Sequence, residues 1–231
     1  MGRKLNSYRG KLTVNQITDG MNAARRNAIR LLNDAKSMLN SNSYPSATAL
    51  SILSIEESGK VSILRRLSLA ITDIEVLKIW KDYRSHTKKN VLWSFPEMVA
   101  RGVRKLDDFR LIFDERSDSP NLLDNVKQIS IYTDCLSKAH WSEPDQVIDR
   151  ELAESLVRVA EILASVGEIT TTEIELWISN FRGVDLSDLS KSREALLHWY
   201  YDMQAAELLP DGYSFKDILD WLGYDFRSLI D

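Results

Sequence analysis

The chain has 231 residues, of which 44% are hydrophobic and 28% are charged, and this balance is typical of a folded globular protein rather than a disordered one. Its apolar runs are all shorter than the roughly 18 residues of a membrane-spanning helix, so we expect no membrane partner. The single cysteine, Cys135, excludes an internal disulfide and a cysteine-ligated metal cluster. With no signal-peptide core at the N-terminus, these features predict a cytoplasmic protein.

The net charge of −4 hides an uneven distribution of charge along the chain. Residues 1–110 contain 20 lysines and arginines against 10 acidic residues, whereas residues 111–231 contain 10 against 24. The basic half suggests a surface that meets an anion such as nucleic acid. The alternative, which we favour slightly at this point, is that the two halves attract each other within the chain or across a dimer.

Hydrophobic periodicity predicts a series of helices behind a basic, unpatterned arm at residues 1–12. Apolar residues recur at alternating intervals of four and three from Ile17 to Met38, which is typical of one face of a long helix. Turn-forming residues and Pro96 separate this helix from later ones. The predicted helices cover residues 14–40, 46–70 and 73–94, a stretch after Pro96, the stretch LLDNVKQISIYTDCLS with a β-branched tail, and the stretch DRELAESLVRVAEILASVG.

These helices predict an all-α fold without a strand pair, in which residues 13–167 form an antiparallel bundle of four to five helices. The sequence pattern changes after Gly167, and we expect residues 168–231 to form a C-terminal helical appendage that begins with a capping-box pattern from Thr170 to Glu173. Nine residues are predicted to be buried in the bundle: Ile17, Met21, Ala24, Leu31, Leu53, Leu64, Leu67, Trp80 and Val91.

The second predicted helix, SATALSILSIEESGK, places charges where a core is expected. Glu56, Glu57 and Lys60 fall within about 60° of Leu53, on the apolar side of the helix. Burying a charge costs several kcal/mol unless it is paired, so these three residues need a reason to face inward. The opposite side, predicted to face solvent, carries Ser51, Ser54, Ser58, Ser62 and Arg65.

The third predicted helix repeats this pattern. Arg84 lies about 40° from Trp80, and His86 lies at the flank of the same face. Helices that follow each other through a short connection pack antiparallel, so the charges of the second and third helices are expected to meet at one level. Such a charged cluster is either a structural ion-pair network or a functional site, and the residues alone favour the two equally.

Four stretches in this chain resemble the AbiV family of abortive-infection proteins, a branch of the HEPN superfamily. They are SYPSATALSILSIEESGK, WKDYRSHTKK, ISIYTD and HWSEP, and they occur in the family's order over roughly residues 14–165. The most specific combination is Glu-Glu-x-Gly-Lys followed, about 25 residues later, by the His-x-x-Lys of His86 and Lys89. Ser58 departs mildly from the family, which has Leu or a similar residue there.

The resemblance implies an all-α HEPN bundle, usually dimeric, that acts in bacterial defence against phage. Many HEPN relatives are metal-independent ribonucleases whose signature is Arg, four to six residues, then His, with one copy from each protomer. In that chemistry the His moves the proton of a 2′-hydroxyl and the Arg stabilises the anionic phosphorane.

This nuclease signature is not where the family has it. At the expected place Lys127 and Tyr132 stand where the family has Arg and His. The Arg-to-His spacing of the signature occurs instead at Arg193 and His198 in the appendage. A composition estimate gives roughly 0.6 accidental matches in such a chain. Arg193 and His198 are therefore the alternative catalytic pair, and the first candidates for a catalytic set are Glu56, Glu57, Lys60, Arg84 and His86.

The resulting hypothesis is an abortive-infection protein that halts growth by cleaving or binding RNA of the translation machinery, acting as a homodimer and triggered by a phage or host protein. RNA contacts are expected at Arg65, Arg66, Lys88 and Lys89. No cofactor or metal is predicted, because the Glu-x-x-His pair of di-iron bundles is missing. The alternative is a non-enzymatic helical module whose charge cluster is structural and which acts by binding a protein partner.

Overall fold

The computed structural model describes residues 6–89, 119–186 and 188–209 of the chain. The described part is mostly helical, and the predicted all-α fold is confirmed. The helices are α1 Val14–Asn40, α2 Tyr44–Leu67, α3 Asp73–Arg84, α4 His86–Lys89, α5 Ser119–Ile131, α6 Pro144–Val147, α7 Arg150–Ala164, α8 Thr171–Phe181 and α9 Leu189–Ala205, and the two short strands are β1 Asp134–Leu136 and β2 His140–Ser142.

Helix starts follow local capping chemistry. The Thr13 side chain accepts a hydrogen bond from the backbone N–H of Gln16, whose side chain accepts one from the backbone N–H of Thr13, and this capping box begins α1 at the predicted residue. Thr72 and Glu75 form the same reciprocal pair at the start of α3. Pro45 lies in the first turn of α2, where its missing N–H costs no hydrogen bond.

Helix α2 is the centre of the molecule and packs against α1, α3, α4, α5 and α7. The prediction that its serines face solvent is wrong for Ser51 and Ser54, which are fully buried. The Ser54 hydroxyl donates to the carbonyl of Ala28 in α1 at 2.8 Å, and that of Ser51 donates to the carbonyl of Ala47 at 2.8 Å. Small side chains that satisfy their own hydroxyls let α1 pack close to this side of α2.

The apolar core follows the prediction at most positions. Leu53 is the exception among the described residues: it is partly exposed because the best-buried side of α2 is turned away from it. The predicted Val91 lies outside the described residues. The residues confirmed as buried are Ile17, Met21, Ala24, Leu31, Leu64, Leu67 and Trp80.

The third helix is shorter than predicted, and two strands occur where none were predicted. The third helix ends at Arg84 because Ser85 takes an extended conformation (φ −81°, ψ 128°), and the four-residue α4 follows at once. The prediction of no strand pair is wrong, since β1 and β2 form an antiparallel hairpin that pairs Cys135 with Trp141. The stretch predicted as a helix after Pro96 lies outside the described residues.

Helix α8, from the segment predicted to be an appendage, packs on the bundle through both apolar and polar contacts. Ile174 is fully buried in the same core cluster as Ile17 and Trp80. Asn22 in α1 donates to the carbonyl of Ile169 at 2.8 Å and accepts from its N–H at 3.0 Å. None of the described helices combines the length and hydropathy that crossing a membrane requires.

Candidate functional site

The buried carboxylate of Glu56, in the middle of α2, contacts two ammonium groups and one imidazole from two other helices. Its side chain is 3% exposed. One oxygen, Oε1, lies 2.5 Å from the Lys127 ammonium of α5. The other, Oε2, lies 3.1 Å from the Lys89 ammonium and 2.8 Å from Nδ1 of His86, both in α4. We call Glu56, His86, Lys89, Asp124 and Lys127 the Glu56 cluster.

The Glu56 cluster is held in its ionised form by mutual neutralisation. Burial alone would raise the pKa of Glu56, but hydrogen bonds from Lys127 and His86 and the charge of Lys89 outweigh burial, so the pKa lies below its ordinary value. Burial would likewise lower the pKa of Lys127, but Asp124 and Glu56 raise it above the ordinary value. The Lys127 ammonium lies 2.7 Å from Asp124, and it therefore bridges two carboxylates.

His86 is the one member of the cluster that is largely open to solvent. Its side chain is 58% exposed, although its partner Glu56 is buried. Nδ1 of His86 lies 2.8 Å from the Glu56 carboxylate and 3.4 Å from the Lys127 ammonium. Because the carboxylate is the nearer group and, when ionised, only accepts hydrogen bonds, we assign the proton to Nδ1. In the neutral imidazole this assignment leaves Nε2 as a proton acceptor. The arrangement is a carboxylate–histidine dyad, in which the buried carboxylate orients a solvent-accessible base.

Gly59 is the residue that lets α4 reach Glu56. A Cβ atom built at Gly59 would lie 2.8 Å from the carbonyl carbon and 3.1 Å from the Cα of Lys89, and closer still to the carbonyl oxygen. No other residue type has space for this contact. The Glu-x-x-Gly spacing of Glu56 and Gly59 therefore places the carboxylate next to the point where α4 crosses, and the His-x-x-Lys spacing places His86 and Lys89 on the same side of α4.

The other three first candidates do not join Glu56. Glu57 and Lys60 pair with each other at 2.5 Å, with side chains 17% and 19% exposed, and the Lys60 ammonium lies 5.3 Å from the centre of the Tyr83 ring. Arg84 was predicted to meet these charges, and that placement is wrong. Its guanidinium donates to the carbonyls of Trp80 at 3.0 Å and of Tyr8 at 2.5 Å and lies over the Trp80 ring.

The residues expected to contact RNA have different environments. Lys89 is buried in the Glu56 cluster, whereas Lys88 is exposed. Arg65 pairs with Glu173 of α8 and lies 5.3 Å from the ring of Trp177. The Arg65 guanidinium also lies 5.5 Å from the centre of the Trp199 ring. Arg66 pairs with Asp82 and is 47% exposed.

The alternative pair, Arg193 and His198, lies on α9, with Arg193 partly buried and His198 exposed. Five helical residues separate the two side chains by about 140° around the helix axis, so they point in different directions.

Lys127, which is 6% exposed and makes the shortest contact to Glu56, is a site residue that the sequence predictions do not include. A signal was present, since Lys127 lies four residues after the buried Leu123 on a predicted helix and therefore on its apolar side. A lysine on such a face needs a buried anion as its partner. The neighbouring Asp124 is 29% exposed and does not meet this need alone, which indicates a second carboxylate from another helix.

The donor atoms of Glu56, His86 and Asp124 lie within 4.8 Å of one another, which is close enough for one ion. The Lys127 ammonium, however, lies 2.5 Å from Glu56 and 2.7 Å from Asp124 and already supplies the positive charge between them. Because a cation would have to displace this ammonium, the residues fit a metal poorly.

In this all-α fold, side chains from α4 and α5 meet at the buried carboxylate of Glu56 in α2. The sequence model of AbiV, within the HEPN proteins, matches residues 16–165, which is well over half of the chain. The chain therefore belongs to the AbiV family, and this membership supports an abortive-infection defence protein. No curated protein matches the chain, and no solved structure matches it.

Proposed function

We propose that this protein halts growth during infection by acting on RNA, with His86 of the Glu56–His86 dyad as its general base and general acid. The observation that carries the proposal is the contrast in exposure within the dyad: Glu56 is 3% exposed and His86 58% exposed, with 2.8 Å between the oxygen and Nδ1. A purely structural ion pair gains little from a solvent-facing partner. A base that must reach a substrate needs that exposure.

The dyad suits cleavage that uses the 2′-hydroxyl of RNA. Nε2 of His86 takes the proton of the hydroxyl, whose oxygen forms a bond to the adjacent phosphorus. The bond from phosphorus to the 5′-oxygen of the next nucleotide breaks, and that oxygen takes a proton from the imidazolium. The products are a 2′,3′-cyclic phosphate and a 5′-hydroxyl. Glu56 stabilises the imidazolium, and exposed Lys88 supplies positive charge beside His86.

The proposal includes the partners expected from the sequence. A second copy of the chain would bring two dyads together, RNA of the translation machinery would be the target, and a phage or host protein would be the trigger. Light scattering tests the dimer: a mass of two chains at micromolar concentration supports it, and a single-chain mass across that range removes it.

A non-enzymatic role remains the second candidate because the Glu56 cluster is well balanced. Glu56, Lys89 and Lys127 are all buried and mutually paired, as expected of a network that only fixes the packing of α2, α4 and α5. In this case the protein would act by binding a protein partner, and His86 would contribute only a hydrogen bond.

The experiment is induction of the wild-type chain and of matched variants in bacteria, with growth and total RNA read together. His86→Ala is the informative variant because the side chain is mostly exposed, so its removal leaves folding intact. Glu57→Gln is the control, since Glu57 pairs with Lys60 and not with the dyad. RNA fragments that end in 2′,3′-cyclic phosphate, lost in His86→Ala but kept in Glu57→Gln, support the proposal. Growth arrest without RNA cleavage or RNA binding favours the protein-binding candidate.

A further inference from the structure

Residues 8–12, predicted to be part of a loose arm, form a strap along α3. We call Tyr8–Leu12 the N-terminal strap. Its backbone carbonyls accept hydrogen bonds from α3: that of Gly10 from the indole N–H of Trp80 at 2.9 Å, and that of Tyr8 from Arg84. The Tyr8 ring also meets the Trp80 ring edge-on, with centroids 6.1 Å apart. The strap therefore grips the C-terminal half of α3.

A second anchor holds the strap at the opposite end of α3. The Lys11 ammonium donates to the carbonyl of Ile71 at 3.0 Å and pairs with Asp73 at 3.3 Å. Both residues of this salt bridge are more than half exposed, so the pair itself adds little stability. The strap thus has one anchor far from the dyad and one anchor, at Trp80 and Arg84, next to it in sequence.

The anchor at Arg84 lies directly before the segment that carries the dyad histidine. Helix α3 ends at Arg84, Ser85 is extended, and His86 begins the four-residue α4. So short a helix has little stability of its own, and its position depends on what holds its ends. One end is fixed by the contact of Lys89 with Gly59, and the other follows the last turn of α3.

We propose that the N-terminal strap and Arg84 position His86 for the dyad, and that Arg84 is a positioning residue that does not itself touch substrate. The inference rests on the proposed function for its biological role, whereas the contacts of Arg84 are observed whether or not His86 is catalytic. Arg84 joins the last turn of α3, through the Trp80 carbonyl, to the strap, through the Tyr8 carbonyl. Releasing this link frees the turn from which His86 projects and lengthens the Nδ1 contact to Glu56.

The test compares variants that release the near anchor with one that releases the far anchor, in the full chain. Arg84→Gln removes the guanidinium, and Trp80→Phe keeps the ring but removes the indole N–H. Lys11→Gln is the matched control at the far end of α3. The readout is the pair of imidazole ¹⁵N resonances of His86, assigned by their loss in His86→Ala, which report which nitrogen carries the proton and whether Nδ1 is hydrogen-bonded.

We expect His86 of the wild-type chain to show a single Nδ1–H tautomer, and Lys11→Gln to keep it. Arg84→Gln and Trp80→Phe should give mixed tautomers and reduce growth arrest by about tenfold or more, since misplacement of about 1 Å can cost up to 100-fold in activity. If Arg84→Gln keeps the wild-type resonances and changes only the unfolding temperature, the strap is merely structural and the inference is wrong. If His86→Ala keeps growth arrest, the proposed function fails, while the resonances still decide the role of the strap.

Discussion

Replacing Gly59 with alanine tests whether α4 must lie against α2 for the protein to work. The new methyl group would overlap the carbonyl oxygen of Lys89, its nearest neighbour, and would lie 2.8 Å from the carbonyl carbon, whereas a relaxed carbon–carbon contact alone needs about 3.5 Å. Helix α4 must therefore retreat by at least about 0.7 Å. The same displacement takes the 2.8 Å contact between His86 and Glu56 to about 3.5 Å, beyond hydrogen-bond distance.

The expected loss of stability is small beside the expected loss of function. Alanine is favoured over glycine inside a helix by about 1 kcal/mol, whereas overpacking costs about 1–3 kcal/mol. Because the clash is with a backbone carbonyl, which cannot rotate away, the cost lies at the upper end of this range, and the free energy of unfolding should fall by about 2 kcal/mol. Displacement of the dyad by the same methyl group should reduce activity by up to about 100-fold.

The assay measures growth arrest after induction and the thermal unfolding temperature of the purified chain. Gly20→Ala in α1 is the matched control, because the nearest atom to its new methyl is a side-chain carbon of Leu64 at 3.3 Å, which can move. The control should keep growth arrest with an equal or higher unfolding temperature. A Gly59→Ala chain that is folded and arrests growth as fully as the wild type would refute the reasoning.

Three further predictions concern the charges and packing of the bundle. Folding lowers the pKa of Glu56, so the stabilisation that its ionised form provides is fully present above the ordinary pKa of 4.5 and disappears as the pH falls through the lower pKa of the folded chain. The difference in free energy of unfolding between the wild type and Glu56→Gln, measured by urea titration, should be about 3–5 kcal/mol at pH 7 and shrink below about pH 4. A difference that is constant with pH would contradict this. Ser54→Leu should destabilise the chain by about 1–3 kcal/mol, because the added methyl groups would collide with α1. Ser54→Ala should cost only about 1 kcal/mol, the loss of one hydrogen bond. Equal melting temperatures of the two variants would show that α1 is not packed against this position. Glu173→Gln should lower stability by about 1–3 kcal/mol, because the partly buried Arg65 stays against Trp177 and Trp199 without its carboxylate partner. Circular dichroism melting, with Glu175→Gln as control, measures this loss, and matching melts of the two variants would mean that the pair does not hold α8.

The sequence predicted the helices and the inward Glu56 because both depend on local periodicity. The limits of α1 followed from its apolar spacing and its capping residues, and Glu56 fell on a face that proved to be buried. The interpretation of the serine face failed for a physical reason: helical phase assumes one buried side, whereas α2 is surrounded. Serine carries no strong preference for solvent when its hydroxyl can bond to a backbone carbonyl, as that of Ser54 does.

The partners of Glu56 were harder to predict because they depend on distant contacts. Lys127 lies 71 positions further along the chain and meets Glu56 only through the packing of α5 on α2. Arg84 has the helical phase of a cluster member, but its guanidinium donates instead to two backbone carbonyls, that of Trp80 within α3 and that of Tyr8 in the strap. The hairpin was missed because its strands have three residues each and its turn places Lys138 and Ala139, instead of glycine, at positive φ.

The central claim is that the exposed histidine of the dyad does chemistry that the fold does not need. The most direct measurement is the survival of bacteria after induction of the His86→Ala chain, compared with the wild type, with unfolding temperatures measured on the same two proteins. We predict that His86→Ala loses growth arrest while its unfolding temperature stays within about 2 °C of the wild type, since a largely exposed side chain contributes little to stability. Full growth arrest by a folded His86→Ala chain would contradict the account.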